Sequence, residues 1–130
     1  MSDSPFEEEP IYSYTRRQAL DDGVLVDLSD FSPDHGIVFP AACTAGVYHR
    51  YLVPDISLEA SGQSLEGRIH DLLSTLAAAI KGQPPSADSL TFQTAFLMPR
   101  GRQVTITFTC ICGPDDAGDP VLTILLPGED

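Results

Sequence analysis

Tryptophan is absent from this 130-residue chain, and cations are scarce: 7 lysines and arginines stand against 19 carboxylates, for a formal charge of −12. A surface of that sign repels nucleic-acid phosphates and anionic lipid headgroups, which argues against direct binding of DNA, RNA or membranes. No stretch reaches the roughly 18 consecutive apolar residues that a membrane span requires. The first ten residues carry Glu7, Glu8 and Glu9 where a secretory leader would be basic and then apolar. The expected location is therefore cytoplasmic. Cysteines number only three, Cys43, Cys110 and Cys112. The last two sit two apart on an expected strand, a poor disulfide geometry, so all three are expected to be reduced and packed in a core.

Apolar residues make up 42% of the chain, enough to offset the entropy of ordering one small domain. The pattern predicts an acidic, flexible tail over residues 1–10 and a single α+β domain over 11–130. Residues 11–14 have strand character; Thr15 with Gln18 then has the spacing of a capping box, predicting a short helix over 16–22 that Gly23 stops. Val24 to Leu28 is an apolar run of strand length, and Ser32-Pro33-Asp34 suggests a first turn. Pro40 followed by alanines suggests a second short helix over 40–52, ended by Pro54. The clearest helix is 64–81, where Leu65, Ile69, Leu72, Leu73, Leu76 and Ile80 form one apolar stripe. Three strands follow, 90–98, 103–112 and 121–126, and read as an antiparallel meander. The middle one puts Val104, Ile106, Phe108, Cys110 and Cys112 on one face and Gln103 with three threonines on the other. That dry face is the expected seat of the 64–81 helix.

His35, His49 and His70 lie on separate elements without metal-ligand spacing, so no metal or cofactor site is predicted. Cys43 and His49 are six residues apart on the expected helix, which separates them around and along its axis, so they make no nucleophilic dyad. No catalytic residue is assigned. The basic tip Arg100-Gly101-Arg102 and the acidic tip Asp115-Asp116 read as solvated turns. The N-terminal quarter stands apart, because residues 1–34 hold nine carboxylates and two arginines beside paired tyrosines. Tyrosine and arginine are frequent in binding hot spots. Tyr12, Tyr14, Arg16, Arg17, Asp21, Asp22, Asp27, Asp30 and Asp34 are therefore the candidate partner-binding residues.

Two blocks carry a family likeness. The run Ile11-Tyr12-Ser13-Tyr14-Thr15-Arg16-Arg17-Gln18-Ala19-Leu20-Asp21-Asp22-Gly23-Val24-Leu25-Val26-Asp27 and the ending Cys112-Gly113-Pro114-Asp115-Asp116 through Leu126-Pro127-Gly128-Glu129-Asp130 resemble an uncharacterised domain family of small acidic proteins encoded on bacterial plasmids, integrative elements and phage-related islands. Residues 30–85 match it only loosely and lack its tryptophans. The resemblance implies a setting, a mobile genetic element, and carries no catalytic residue with it.

The resulting expectation is a non-enzymatic accessory protein that binds another protein. Its most concrete form is a host-defence inhibitor, anti-CRISPR or anti-restriction, whose acidic surface meets a nucleic-acid-handling complex of the host or a phage. Two alternatives stand beside it. One is a small transferase with a cleft near Tyr12 and Arg16; the other is a structural domain that forms oligomers through an exposed apolar face or sheet edge.

Overall fold

Helix α1 (Arg16–Asp21) starts where the capping box requires. The Thr15 hydroxyl accepts from the Gln18 backbone N–H at 3.0 Å, and the Gln18 side chain accepts from the Thr15 backbone N–H at 2.9 Å. The computed structural model describes residues 14–84 and 86–129; the expected tail 1–10 and the strand residues 11–13 lie outside the described residues. Gly23, at φ 78°, takes the left-handed turn out of α1 into strand β1 (Leu25–Asp27). A 3₁₀ turn, Ser32–His35, follows at the Ser32-Pro33-Asp34 signal.

The next segment corrects an expectation. Residues 41–44 form strand β2 (Ala41–Thr44) in place of the first turn of a helix. Helix α2 begins only at Ala45 (Ala45–Val47), capped by the Thr44 hydroxyl, and runs on as a π-helical turn, Tyr48–Leu52. β2 lies inside the sheet with Ala41, Ala42 and Cys43 at 0 to 1% exposure. Burial of three consecutive residues means that both faces of the strand are covered. Tertiary packing has overridden the helical preference of alanine.

Helix α3 (Leu65–Lys81) is capped by Ser64, whose hydroxyl accepts from the Gly67 N–H at 3.0 Å. Its stripe is sealed, with Ile69, Leu72, Leu73 and Leu76 each at or below 3% exposure. At about 1.5–3 kcal/mol per fully buried aliphatic side chain, these four dominate its docking. They pack toward strands β3 (Ser89–Met98) and β4 (Arg102–Pro114), where Phe92, Phe96 and Phe108 meet ring to ring. The 64–81 helix therefore does seat against the dry face.

The three C-terminal strands pair antiparallel in chain order, β3 with β4 and β4 with β5 (Pro120–Leu125). They do not stand alone as the expected meander. β2 adds to β5 in parallel, β1 adds antiparallel to β2, and the sheet is five-stranded and mixed in the order β1-β2-β5-β4-β3. The class is α+β. No helix among the described residues is long and apolar enough to cross a membrane.

Candidate interaction site

The two blocks that carry the family likeness lie far apart in the chain and meet in space. The turn between β4 and β5 is shaped by Asp115, whose Oδ1 accepts from the Ala117 and Asp119 N–H groups, each at 2.9 Å. Its neighbour Asp116 reaches α1. There Oδ1 accepts from the Arg16 N–H at 3.0 Å and Oδ2 from the Arg17 N–H at 3.1 Å. These are first-turn donors with no partner inside the helix, and a carboxylate suits that end of the helix dipole. The acidic tip expected as a solvated turn is thus, at Asp116, a docking group for α1.

Arg16 completes the joint. Its guanidinium donates to the Thr123 hydroxyl at 2.7 Å and to the Leu122 carbonyl at 3.1 Å, both on β5. Burial lowers its pKa, and the nearby carboxylates of Asp27, Asp115 and Asp116 oppose that shift. The side chain is spent on holding α1 against the sheet. Around it opens a cleft of about 430 Å³, lined among others by Arg17, Asp27, Ser29, Asp115 and Val121.

The other candidates are placed as follows. Tyr14 is exposed, and its hydroxyl donates to Asp22 at 2.8 Å, which raises the phenol pKa. Asp27 accepts from the Ser29 N–H at 2.9 Å and lines the cleft with Arg16 and Arg17. Asp21, Asp22, Asp27, Asp30 and Asp34 are all exposed, along α1, β1 and the turns that follow. Asp21, Asp22, Asp30 and Asp34 do not line the cleft. Tyr12 lies outside the described residues.

Sequence reasoning missed three features. Arg68 is 2% exposed; it donates to the carbonyls of Tyr51 and Leu97 at 2.7 and 2.9 Å and to the Gln63 side chain at 2.9 Å. Its position three after Leu65 and four before Leu72 puts it on the apolar stripe, and that spacing was the available signal. His35 and His70 bring ring nitrogens to 2.8 Å although 35 residues separate them, and no local pattern announces that pair. Glu129 accepts from the Thr44 hydroxyl at 2.8 Å and the Leu126 N–H at 2.7 Å, and packs over Gly46, where a Cβ would lie 2.5 Å from its Oε2.

Nucleophilic cysteine chemistry finds no support at Cys43 or Cys110. Burial pushes each thiol up to about 12, so both stay protonated at neutral pH. Among the described residues there is no group of three or more His, Cys, Asp or Glu side chains that could hold a metal ion.

Fold and site together define a small α+β domain in which α1 is stitched to β5 and the turn before it at an acidic corner. The chain belongs to the family of unknown function DUF6573, whose model matches residues 4–130. No curated protein matches the chain. No solved structure matches it either.

Proposed function

We propose that the protein is a non-enzymatic accessory protein of a mobile genetic element that works by binding another protein. Its most concrete form is an inhibitor of a host-defence complex, anti-CRISPR or anti-restriction, whose basic nucleic-acid-binding surface the acidic corner occupies. The inward turn of Arg16 carries this reading. A guanidinium that donates to Thr123 and Leu122 is not free to grip a phosphate, while Asp21, Asp22, Asp27, Asp30 and Asp34 are all exposed. Such a surface attracts a basic partner over a distance and repels its nucleic acid.

The test is binding of the purified chain to a panel of CRISPR effectors and restriction enzymes across a salt series. Affinity should fall steeply as salt rises. The variant combining Asp21→Asn, Asp22→Asn, Asp30→Asn and Asp34→Asn should bind at least about tenfold more weakly with a melting temperature no lower than that of the native chain. No binding across the panel, or binding indifferent to salt, would remove the reading. The cleft beside Arg17 favours one alternative, a small transferase, with Arg17 as the guanidinium left to face a substrate. Turnover that survives Arg17→Ala unchanged would take that residue out of the alternative.

A further inference from the structure

Helix α3 covers the sheet unevenly. Its middle seals Phe92 and Phe96, and Tyr51 lies 6.2 Å from the Phe96 ring and 5.9 Å from that of Phe108. The helix then ends at Lys81 while the apolar face of the strands continues. Beyond that end, Leu90, Cys110, Cys112 and Leu122 of the sheet line a cleft of about 470 Å³ with Ile37 and Ile80. At its lip stand Val38, 85% exposed, and Phe39, 38% exposed. A concave apolar wall and two large apolar side chains held out in water beside it are separate features, and each costs free energy if nothing covers it. The volume falls in the range of small-molecule sites, where apolar walls carry a few polar groups.

Charge selects the guest. Among the described residues the lip carries the ammonium of Lys81 and the carboxylate of Asp88, whose charges cancel. The molecule as a whole is at −12, which disfavours an anion. A cation would have to shed water to enter apolar walls, at a cost the single carboxylate does not meet. The Ser89 hydroxyl and the His35 ring, the latter held by its bond to His70, offer hydrogen bonds to one polar end. The geometry points to a binding site for a neutral, largely apolar small molecule, such as an aliphatic alcohol or an aromatic of drug size. This site is distinct from the acidic corner and does not depend on the function proposed there.

The intact chain can be titrated with N-phenyl-1-naphthylamine, a neutral dye that brightens in apolar surroundings. Saturable binding at one site is expected, with displacement by decanol at least about tenfold better than by decanoate. Cys112 reports from inside the cleft, because Cys43 and Cys110 are buried and it alone is half-buried. Saturating decanol should slow its alkylation by at least about tenfold, a readout that needs no variant. Cys112→Phe, which fills the cleft, should abolish dye binding; if that variant does not fold, the alkylation result decides. Non-saturable dye uptake, unchanged alkylation, or equal displacement by decanoate would each overturn the assignment. So would dye binding per chain that falls as protein concentration rises, since a second copy would then be what covers Val38 and Phe39.

Discussion

Arg68 carries its charge into the protein interior, where its partners are two carbonyls, an amide oxygen and the Met98 sulfur, with the Phe96 ring 4.7 Å from its guanidinium carbon. Burial lowers its pKa, but guanidinium does not lose its proton in proteins. It works as a pin that ties α3 to the Tyr51 turn and the end of β3. Arg68→Ala should cost about 3 kcal/mol in urea unfolding, because it strands buried carbonyls as well as removing the contacts. Arg68→Lys should not restore the loss, since an ammonium lacks the planar fork. A loss below about 0.5 kcal/mol would show that the pin is dispensable. The same scale holds the thiols. Burial pushes the Cys43 and Cys110 thiols up from an ordinary 9.0 to about 12, so between those values the native state holds more protons than the unfolded chain. Stability is then lost as pH rises, by at most about 1.4 kcal/mol per pH unit for each thiol. Urea midpoints measured from pH 8 to 11 should fall more steeply for the native chain than for Cys43→Ala/Cys110→Ala, and parallel slopes would refute the assignment.

Elements were legible where their cause was local. The capping box of α1, the stripe of α3 and the alternation of β4 are written within a few residues, and each formed where its pattern said. β2 was not legible as a strand. Ala41, Ala42 and Cys43 are held as a strand by pairing with β1 and β5, and the β5 partners lie about 80 positions away. The role of Asp116 was hidden in the same way, since a turn rich in aspartate looks solvated until α1 is placed against it. The candidate site was accordingly half legible: its aspartates are exposed as composition suggested, while Arg16 faces inward. Asp116→Ala should free the first turn of α1 and cost about 1 kcal/mol, with faster hydrogen exchange at the amides of that helix. Unchanged exchange in α1 would mean that Arg16 alone holds the helix in place.

At the scale of the whole molecule, β5 is the strand that joins the halves, paired antiparallel to β4, which directly precedes it, and parallel to β2, some 80 residues earlier. No periodicity encodes a parallel pairing of that kind, so the sheet order could not be read. The charge could. Of the 7 cations, Arg68 is buried and Arg16 is turned onto the sheet, so the surface is left more negative than the bare count suggests. Self-repulsion among exposed carboxylates destabilises the compact state, and salt screens it over a Debye length of about 8 Å at physiological ionic strength. Raising sodium chloride from about 20 mM to about 500 mM should therefore raise the melting temperature by several degrees, and potassium chloride should do the same. A flat or falling melting temperature would mean that the carboxylates are too far apart to strain the fold. The sign matters for the proposed function as well. Salt should strengthen the fold while it weakens attachment to a basic partner, so binding lost at high salt cannot be ascribed to unfolding. The two measurements, made on one sample, separate an acidic surface that recognises a partner from one that only keeps the chain in solution.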